Sequence, residues 1–233
     1  MGKVWTLTWR EIHSVFFSPL AYIVLTVFLF FSGLGFALKT TEASMSGTIA
    51  ALLFLFLVAT PFLTMRLLAE ESRSGTIETL MTAPVTETAV ILSKFLGTLV
   101  FFAFMLLPTL GYVVILCVLG EPDLGPIVSA YIGLLLTGAH FIAIGLFCSA
   151  LTRSQVVAGV TALIILLTLW GLGEVAASMG GSFEPIVSYL GTWQHLRPFA
   201  YGRITFRDTF FFLSSAAFWL FLSVRVLESR RWR

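Results

Sequence analysis

The sequence predicts an all-α membrane protein with six transmembrane helices, on the evidence of its composition, the length of its apolar segments and the placement of its charges. Hydrophobic residues make up 58% of the 233 positions and charged residues only 11%, whereas a soluble domain carries about 25% charged residues. A soluble fold of this length could not bury so much apolar surface, so we expect the lipid bilayer to be its solvent. The net charge of +2 predicts no nucleic-acid partner.

Six apolar segments are long enough to cross the membrane, which takes roughly 20 residues per helix. Helices are expected because every backbone polar group in lipid must be hydrogen-bonded within its own segment. The predicted spans are 20–38, 49–68, 95–119, 127–151, 156–177 and 209–227. Too few residues remain for a second folded domain, so residues 1–233 are predicted to form a single transmembrane domain.

The distribution of lysine and arginine predicts which side of the membrane each loop faces. An even number of spans puts both termini on one side, and ten basic residues lie on that side of the predicted topology. The opposite side carries four, which are Lys39, Arg197, Arg203 and Arg207. Because cytoplasmic loops carry the excess of basic residues, we expect both termini in the cytoplasm.

The N-terminal segment, residues 1–19, has the pattern of an amphipathic helix lying in the inner membrane interface. One face carries apolar residues at helical spacing: Trp5, Trp9, Ile12 and Phe16. The opposite face carries Lys3, Arg10 and Ser14. Pro19 then ends this helix and begins the first span. The pattern is compatible with a mechanical lever and with a plain membrane anchor.

The inner loop, residues 69–88, predicts a short helix on the cytoplasmic side. Gly75 allows a tight turn, Thr76 is a suitable N-cap, and Pro84 ends the helix. The polar residues around it are Glu70, Glu71, Arg73 and Glu78, and its apolar face is formed by Ile77, Leu80 and Met81. This face is too small to form a core but could fill a groove on a partner; the alternative is an ordinary structured loop.

The outer segment, residues 178–208, is rich in aromatic residues and contains Pro185 and Pro198. This composition predicts short helices that dip back into the outer leaflet, with Tyr and Trp at the interface. A lid that only packs on the outer ends of the spans is the alternative. Asp208 is predicted to cap the last span.

Polar residues within spans are candidates for a transport pathway. The sequence offers His140, in the middle of the fourth span, and Glu174, near the outer end of the fifth. A hydrogen bond from His140 to a neighbouring helix is the alternative for that residue. The three histidines are far apart and both cysteines lie in apolar runs, so we predict no metal site and no disulfide.

The inner loop resembles that of type-2 ABC transporter permeases in the pattern Glu71-x-Arg73-Ser74-Gly75-Thr76-Ile77-Glu78-x-Leu80-Met81-Thr82-x-Pro84-Val85-Thr86, followed by Lys94 at the start of a span. The end of the chain is similar to the branch of gliding-motility permeases, to which copper-enzyme-maturation permeases are related. Its pattern is Gly202-Arg203-Ile204-x-x-Arg207-Asp208, a Phe-rich span, and Leu227-Glu228-Ser229-Arg230-Arg231-Trp232.

The resemblance implies a permease subunit of an ATP-driven exporter in the bacterial inner membrane. Two permease chains, identical or related, would form the transmembrane unit together with two copies of a separate ABC ATPase. Residues 1–19 would be the elbow helix, and the loop 69–88 would carry the coupling helix that contacts the ATPase. The segment 178–208 would supply the short outer helices.

The same resemblance implies that this chain is not an enzyme. The sequence lacks the Gly-x-x-x-x-Gly-Lys-Ser/Thr loop that cradles phosphates, so we expect ATP and Mg²⁺ to be bound by the partner ATPase and no cofactor by this chain. One alternative is a non-transporting subunit that transmits ATPase motion to a periplasmic partner. A secondary transporter and an intramembrane enzyme are weaker alternatives, because such proteins carry more ionisable groups at membrane depth.

Overall fold

The computed structural model describes residues 2–39, 46–76, 85–119, 123–179 and 184–231. Within these ranges the chain is helical and forms no strand. The helices are α1 (Gly2–Phe16), α2 (Pro19–Lys39), α3 (Ser46–Thr64), α4 (Ala69–Ser74), α5 (Glu87–Leu106), α6 (Leu110–Leu119), α7 (Leu124–Leu151), α8 (Gln155–Met179), α9 (Glu184–Tyr189), α10 (Thr192–Ala200) and α11 (Phe206–Arg231), with a 3-10 turn at Leu107–Thr109.

Six stretches in the described part of the chain are long and apolar enough to cross a membrane, which confirms the predicted fold class. They are Pro19–Leu38, Thr48–Ser74, Glu87–Val118, Leu124–Leu151, Gln155–Gly173 and Phe206–Ser229. Because successive spans alternate in direction, α1, the segment 65–76 and the turn 152–154 lie at one end of the bundle. We call it the α1 end. The short helices α9 and α10 lie at the opposite end.

The predicted start of the third span is wrong, because α5 begins at Glu87, eight residues before Phe95. Thr86 caps this helix by accepting a hydrogen bond from the Ala89 N–H at 3.3 Å, and Glu87 lies in the first turn, where the helix dipole favours a carboxylate. The charge of Lys94 suggested a position outside the span. It lies instead about 10 Å along α5 from Glu87, at 1.5 Å per residue.

Helix α7 forms the centre of the bundle, since it is the most buried of the six candidate spans. Helices α3, α5, α8 and α11 all pack against it. Glycines permit the closest approaches, because a side chain at Gly138 would overlap the ring of Phe102 and one at Gly145 would overlap Thr64. The core is therefore built by helices in near backbone contact.

Helix α1 packs lengthwise on α5 and buries a face that the sequence pattern did not indicate. Its buried residues include Thr8 and Glu11, whereas Trp5 and Trp9 are 67% and 54% exposed. Gly97 on α5 makes this packing close, because a Cβ at that position would lie 2.9 Å from Glu11 Cβ. The position of the two indoles at headgroup depth remains a prediction.

The outer segment contains two short helices, α9 and α10, as predicted. Helix α10 packs on α7 and α8. The predicted N-cap role of Asp208 is wrong, because α11 begins at Phe206 and Asp208 lies within its first turn. The Asp208 carboxylate instead lies 2.7 Å from His195 Nδ1 on α10. Gly202 connects the two helices with a φ of 80°, a conformation that glycine adopts readily.

Candidate functional site

A buried lysine lies where three elements meet at the α1 end. Lys94 on α5 is only 2% exposed. Its ammonium group donates hydrogen bonds to Glu71 Oε1 on α4 at 2.6 Å and to Glu11 Oε2 on α1 at 3.4 Å. The N-terminal helix, the approach to the inner loop and the third span are thus joined through one side chain.

The charges around Lys94 cancel. Arg10 Nη2 donates to Glu11 Oε1 at 2.9 Å, so two cations meet two carboxylates; we call Arg10, Glu11, Glu71 and Lys94 the Lys94 cluster. A buried charge costs several kcal/mol unless it is paired, and this pairing explains how Lys94 is tolerated inside a span. The Glu71 Oε2 atom is buried and lacks a hydrogen-bond partner among the described residues.

A serine on α7 fixes the beginning of α4. The Ser149 hydroxyl accepts hydrogen bonds from the N–H groups of Leu68 and Ala69, both at 3.0 Å, and donates to the Met65 carbonyl at 3.1 Å. The first N–H groups of a helix have no partner within the helix, and Leu68 provides no side-chain cap. Ser149 therefore supplies from the bundle core the cap that α4 lacks locally.

The end of α4 is a tight turn at Gly75, which confirms the prediction for that residue. Gly75 is the C-cap of α4 and has a φ of 76°, in the left-handed region. Residues 77–84 follow it and lie outside the described part of the chain. Helix α4 is consequently a short rigid element between the core and the inner loop.

Outside the Lys94 cluster, another ion pair closes the space between α3 and α4. Arg66 Nε donates to Glu70 Oε2 at 2.9 Å, and Arg66 Nη1 reaches Ser18 Oγ at 3.4 Å, just before α2. Both charged side chains are more than a third exposed, so the pair contributes at most about 1 kcal/mol. Its role is to position the ends of α2, α3 and α4 around a cavity.

That cavity has a volume of about 850 Å³ and opens at the α1 end. It lies between α1, the start of α2, the end of α3, and α4. The four residues of the Lys94 cluster line it together with Arg66 and Glu70. The charged groups of the site therefore face a common space.

Residues 61–199, more than half of the chain, match the family model described as ABC-2 family transporter protein. The chain belongs to the ABC-2 transporter family. It is therefore a multi-pass membrane subunit of an ABC transporter, works with an ABC ATPase and is not itself an enzyme. The match is to the family as a whole and does not distinguish the gliding-motility or copper-enzyme-maturation branch. A comparison with curated proteins finds no match.

The structure brings some of the predicted coupling residues of this ABC-2 permease together and leaves others untested. Glu71 joins the Lys94 cluster, whereas Glu70, Arg73, Gly75 and Thr76 are exposed at the α1 end. The remaining predicted coupling residues lie outside the described residues; they are Ile77, Glu78, Leu80, Met81 and Pro84. An ATPase contact for any of these residues stays a prediction.

The predicted elbow residues of the permease divide into two groups. Trp5, Trp9 and Arg10 are exposed, and Arg10 reaches the Lys94 cluster. Ile12 and Phe16 are partly buried, and the Phe16 ring packs edge-to-face on Phe101 of α5, with ring centroids 5.1 Å apart. Helix α1 is thus attached to the bundle by both apolar and ionic contacts.

The two pathway candidates remain predictions. His140 is 1% exposed, and neither ring nitrogen has a hydrogen-bond partner in the part of the chain that the structure describes. Its nearest ring neighbours are Phe141, Phe211 and Phe212, with centroids about 6 Å away. The backbone of Glu174 lies in α8, and its side chain is outside the described atoms.

Sequence reasoning missed Glu11 and Ser149. One signal for Glu11 was present, because a lysine within an apolar run needs a carboxylate partner, and Thr8, Glu11 and Val15 share one face of α1. No local signal identified Ser149, because a serine in a span is common and its partners lie about 80 residues away in sequence.

Proposed function

We propose that this permease is the membrane subunit of a type-2 ABC exporter in which the Lys94 cluster transmits motion of the ATPase to the elbow helix. Two copies of an ABC ATPase bind ATP and Mg²⁺ and contact the loop 69–88. A second permease chain, identical or related, completes the transmembrane unit. The α1 end faces the cytoplasm of a bacterium, in agreement with the excess of basic residues there.

The observation that carries this proposal is the double contact of Lys94 with Glu71 and Glu11. Glu71 lies on α4, six residues before the apolar face of the coupling helix begins at Ile77. A force on that face acts on α4 through the turn at Gly75 and from there on Lys94. Gating between two states requires a rigid connection of this kind, with contacts that differ between the states.

The contact with the ATPase is assigned to the segment after Gly75. Ile77, Leu80 and Met81 are the anchors, since apolar residues in desolvated pockets usually carry the energy of an interface. The charged residues around them set the fit more than the affinity; they are Glu70, Arg73 and Glu78. The same segment carries the resemblance to type-2 permeases.

The transport function is export through a path between the two permease chains. His140 and Glu174 are candidates for lining this path. The assignment of export, and of the gliding-motility or copper-enzyme-maturation branch, rests on the resemblance of this sequence to type-2 permeases. A non-transporting subunit that moves a periplasmic partner would use the same coupling site. A seam between the two permeases that stays closed in every nucleotide state would indicate this alternative.

Leu80→Asp tests the coupling site. The variant places a charge on the proposed anchor face, so we expect the permease to insert in the membrane at wild-type yield and to lose its cognate co-expressed ABC ATPase during affinity purification. Ser154→Asp is the matched control, because it adds the same charge at the α1 end, in an exposed turn where the side chain caps α8. Recovery of the ATPase with Leu80→Asp at the control level would refute the proposed contact.

A further inference from the structure

The cavity at the α1 end has two chemically different walls. The charged wall contains Arg10, Glu11, Arg66, Glu70, Glu71 and Lys94. The opposite wall is apolar and includes Val15, Leu20 and Leu63. A water-soluble ion could interact favourably with the charged wall only. An amphiphile could interact with the charged wall through its polar group and with the apolar wall through its hydrocarbon part. The volume of about 850 Å³ is within the range of small-molecule sites, roughly 300–1,000 Å³.

The cavity opens where membrane lipid can reach it. Pro19, which lines the cavity, is the first residue of a candidate span. Tyr22 and Ile23 follow on α2 and are exposed, as are the indoles of Trp5 and Trp9 on α1. Tryptophan is enriched at the level of lipid headgroups. The predicted headgroup depth of the indoles therefore implies that the charged wall lies near the headgroups, beside an apolar surface that contacts acyl chains.

The charges of the cavity match a ligand that carries both signs. Three cations and three carboxylates line it, so the wall has no net charge that would favour an anion. Arg10 and Arg66 are each more than a third exposed, and a guanidinium has five N–H donors, more than one carboxylate can accept.

We propose that this cavity binds the phosphoethanolamine headgroup of a phospholipid from the leaflet at the α1 end. The phosphate oxygens accept hydrogen bonds from Arg10 and Arg66, which recognise phosphate through a planar fork of donors. The primary ammonium group donates to the Glu70 carboxylate, which lines the cavity and is exposed. The acyl chains leave along the apolar wall and the exposed face of α2. This inference depends on the membrane assignment and the cavity, and it is independent of the proposed ATPase coupling.

Two other common headgroups lack one of the required features. A choline headgroup carries the phosphate and a positive charge but has no N–H to donate to Glu70. A phosphatidylglycerol headgroup carries the phosphate but no positive charge. Because a hydrogen bond to a charged group contributes about 1.5–3 kcal/mol, we expect retention of phosphatidylethanolamine to exceed that of either lipid by at least about tenfold.

The test is lipid retention by the full-length permease, alone and bound to its cognate ABC ATPase. Both are reconstituted in nanodiscs with equal mole fractions of the three phospholipids, extracted in mild detergent and measured by native mass spectrometry. Ser14→Trp fills the cavity without changing a charge, since Ser14 lines it, and Arg66→Gln removes a phosphate donor. Ser214→Trp, at an exposed position on α11, is the matched control.

We expect the wild type and Ser214→Trp to retain phosphatidylethanolamine selectively, and both Ser14→Trp and Arg66→Gln to lose the preference. If Ser14→Trp does not fold, Arg66→Gln decides the outcome. Equal retention of the ethanolamine and choline lipids overturns the proposal, as does a preference for phosphatidylglycerol or a selectivity that survives in the folded variants. Selectivity seen in the isolated permease and absent from the complex also overturns it, because the ATPase then occupies the cavity.

Discussion

Lys94→Met tests whether the ion cluster holds α1, α4 and α5 together. Methionine preserves an unbranched, flexible side chain and removes the charge. Glu11 would then keep only Arg10 as an ion-pair partner, and Glu71 would lose its partner in the cluster. We therefore expect the variant to be less stable and to couple poorly to the ATPase, although neither ATP nor the ATPase touches Lys94 in the proposed arrangement.

The expected magnitude follows from the burial of the partners. Lys94 and Glu11 are both less than 10% exposed, whereas the Glu71 side chain is 23% exposed and partly screened by water. Removing one partner of a buried ion pair costs about 3–5 kcal/mol, because the other charge stays buried without compensation. Glu11→Gln in the Lys94→Met background removes the more buried of the two carboxylates that lost Lys94, with Arg10 as its remaining partner. The double-mutant cycle should therefore give a coupling energy of about 1–3 kcal/mol.

The measurement is the free energy of unfolding in mixed detergent micelles, together with ATPase activity of the reconstituted complex. Arg153→Met is the matched control, because it deletes a basic residue from an exposed turn at the same end of the bundle; a surface change of this kind alters stability by about 0.5 kcal/mol or less. If Lys94→Met and Arg153→Met lower stability equally, the cluster does not hold these elements together and our reasoning about it is wrong.

Three further predictions concern helix packing and turns, two near the site and one at the opposite end of the bundle, and all are checked by thermal unfolding of the purified permease. Ser149→Ala leaves two buried N–H groups at the start of α4 without an acceptor, and should lower the free energy of unfolding by about 1–3 kcal/mol. Ser149→Thr retains the hydroxyl and should recover part of this loss. Gly145→Val should cost about 1–3 kcal/mol by overpacking against Thr64, and wild-type stability would contradict the close α3–α7 approach. Gly202→Ala should cost about 1 kcal/mol or more, because alanine is strained at a φ of 80° and its Cβ would lie 3.2 Å from Pro126.

The six spans could be predicted from the sequence because lipid imposes a simple rule on composition and length. Each span must be apolar and must satisfy its backbone hydrogen bonds within its own helix. Both properties can be recognised from the local sequence. The positions of Pro19 and Gly75 were equally accessible, since proline at the start of a helix and glycine in a left-handed turn have local causes. The short helices before the last span were indicated by the aromatic composition of the outer segment.

The Lys94 cluster could not be predicted in the same way, because its partners are distant in sequence. Glu11 and Glu71 lie 83 and 23 residues from Lys94. In the strongest apolar pattern on α1, Trp5 and Trp9 are exposed, whereas Ile12 and Phe16 are partly buried. Amphipathic analysis identifies the most apolar face of a helix. The face of α1 that packs on α5 is determined instead by an ion pair and by the close helix approach that Gly97 permits.

The short bond between Lys94 and Glu71 limits how α4 can move. A hydrogen bond of 2.6 Å is lost if its atoms separate beyond about 3.5 Å, so a displacement of α4 by more than about 1 Å breaks the bond unless α5 or the two side chains follow. Breaking it would leave a buried lysine with one carboxylate fewer, at a cost of several kcal/mol. Movement as one unit is therefore favoured. Because Glu11 binds the same ammonium and α1 packs closely at Gly97, we expect α1 to move with α5.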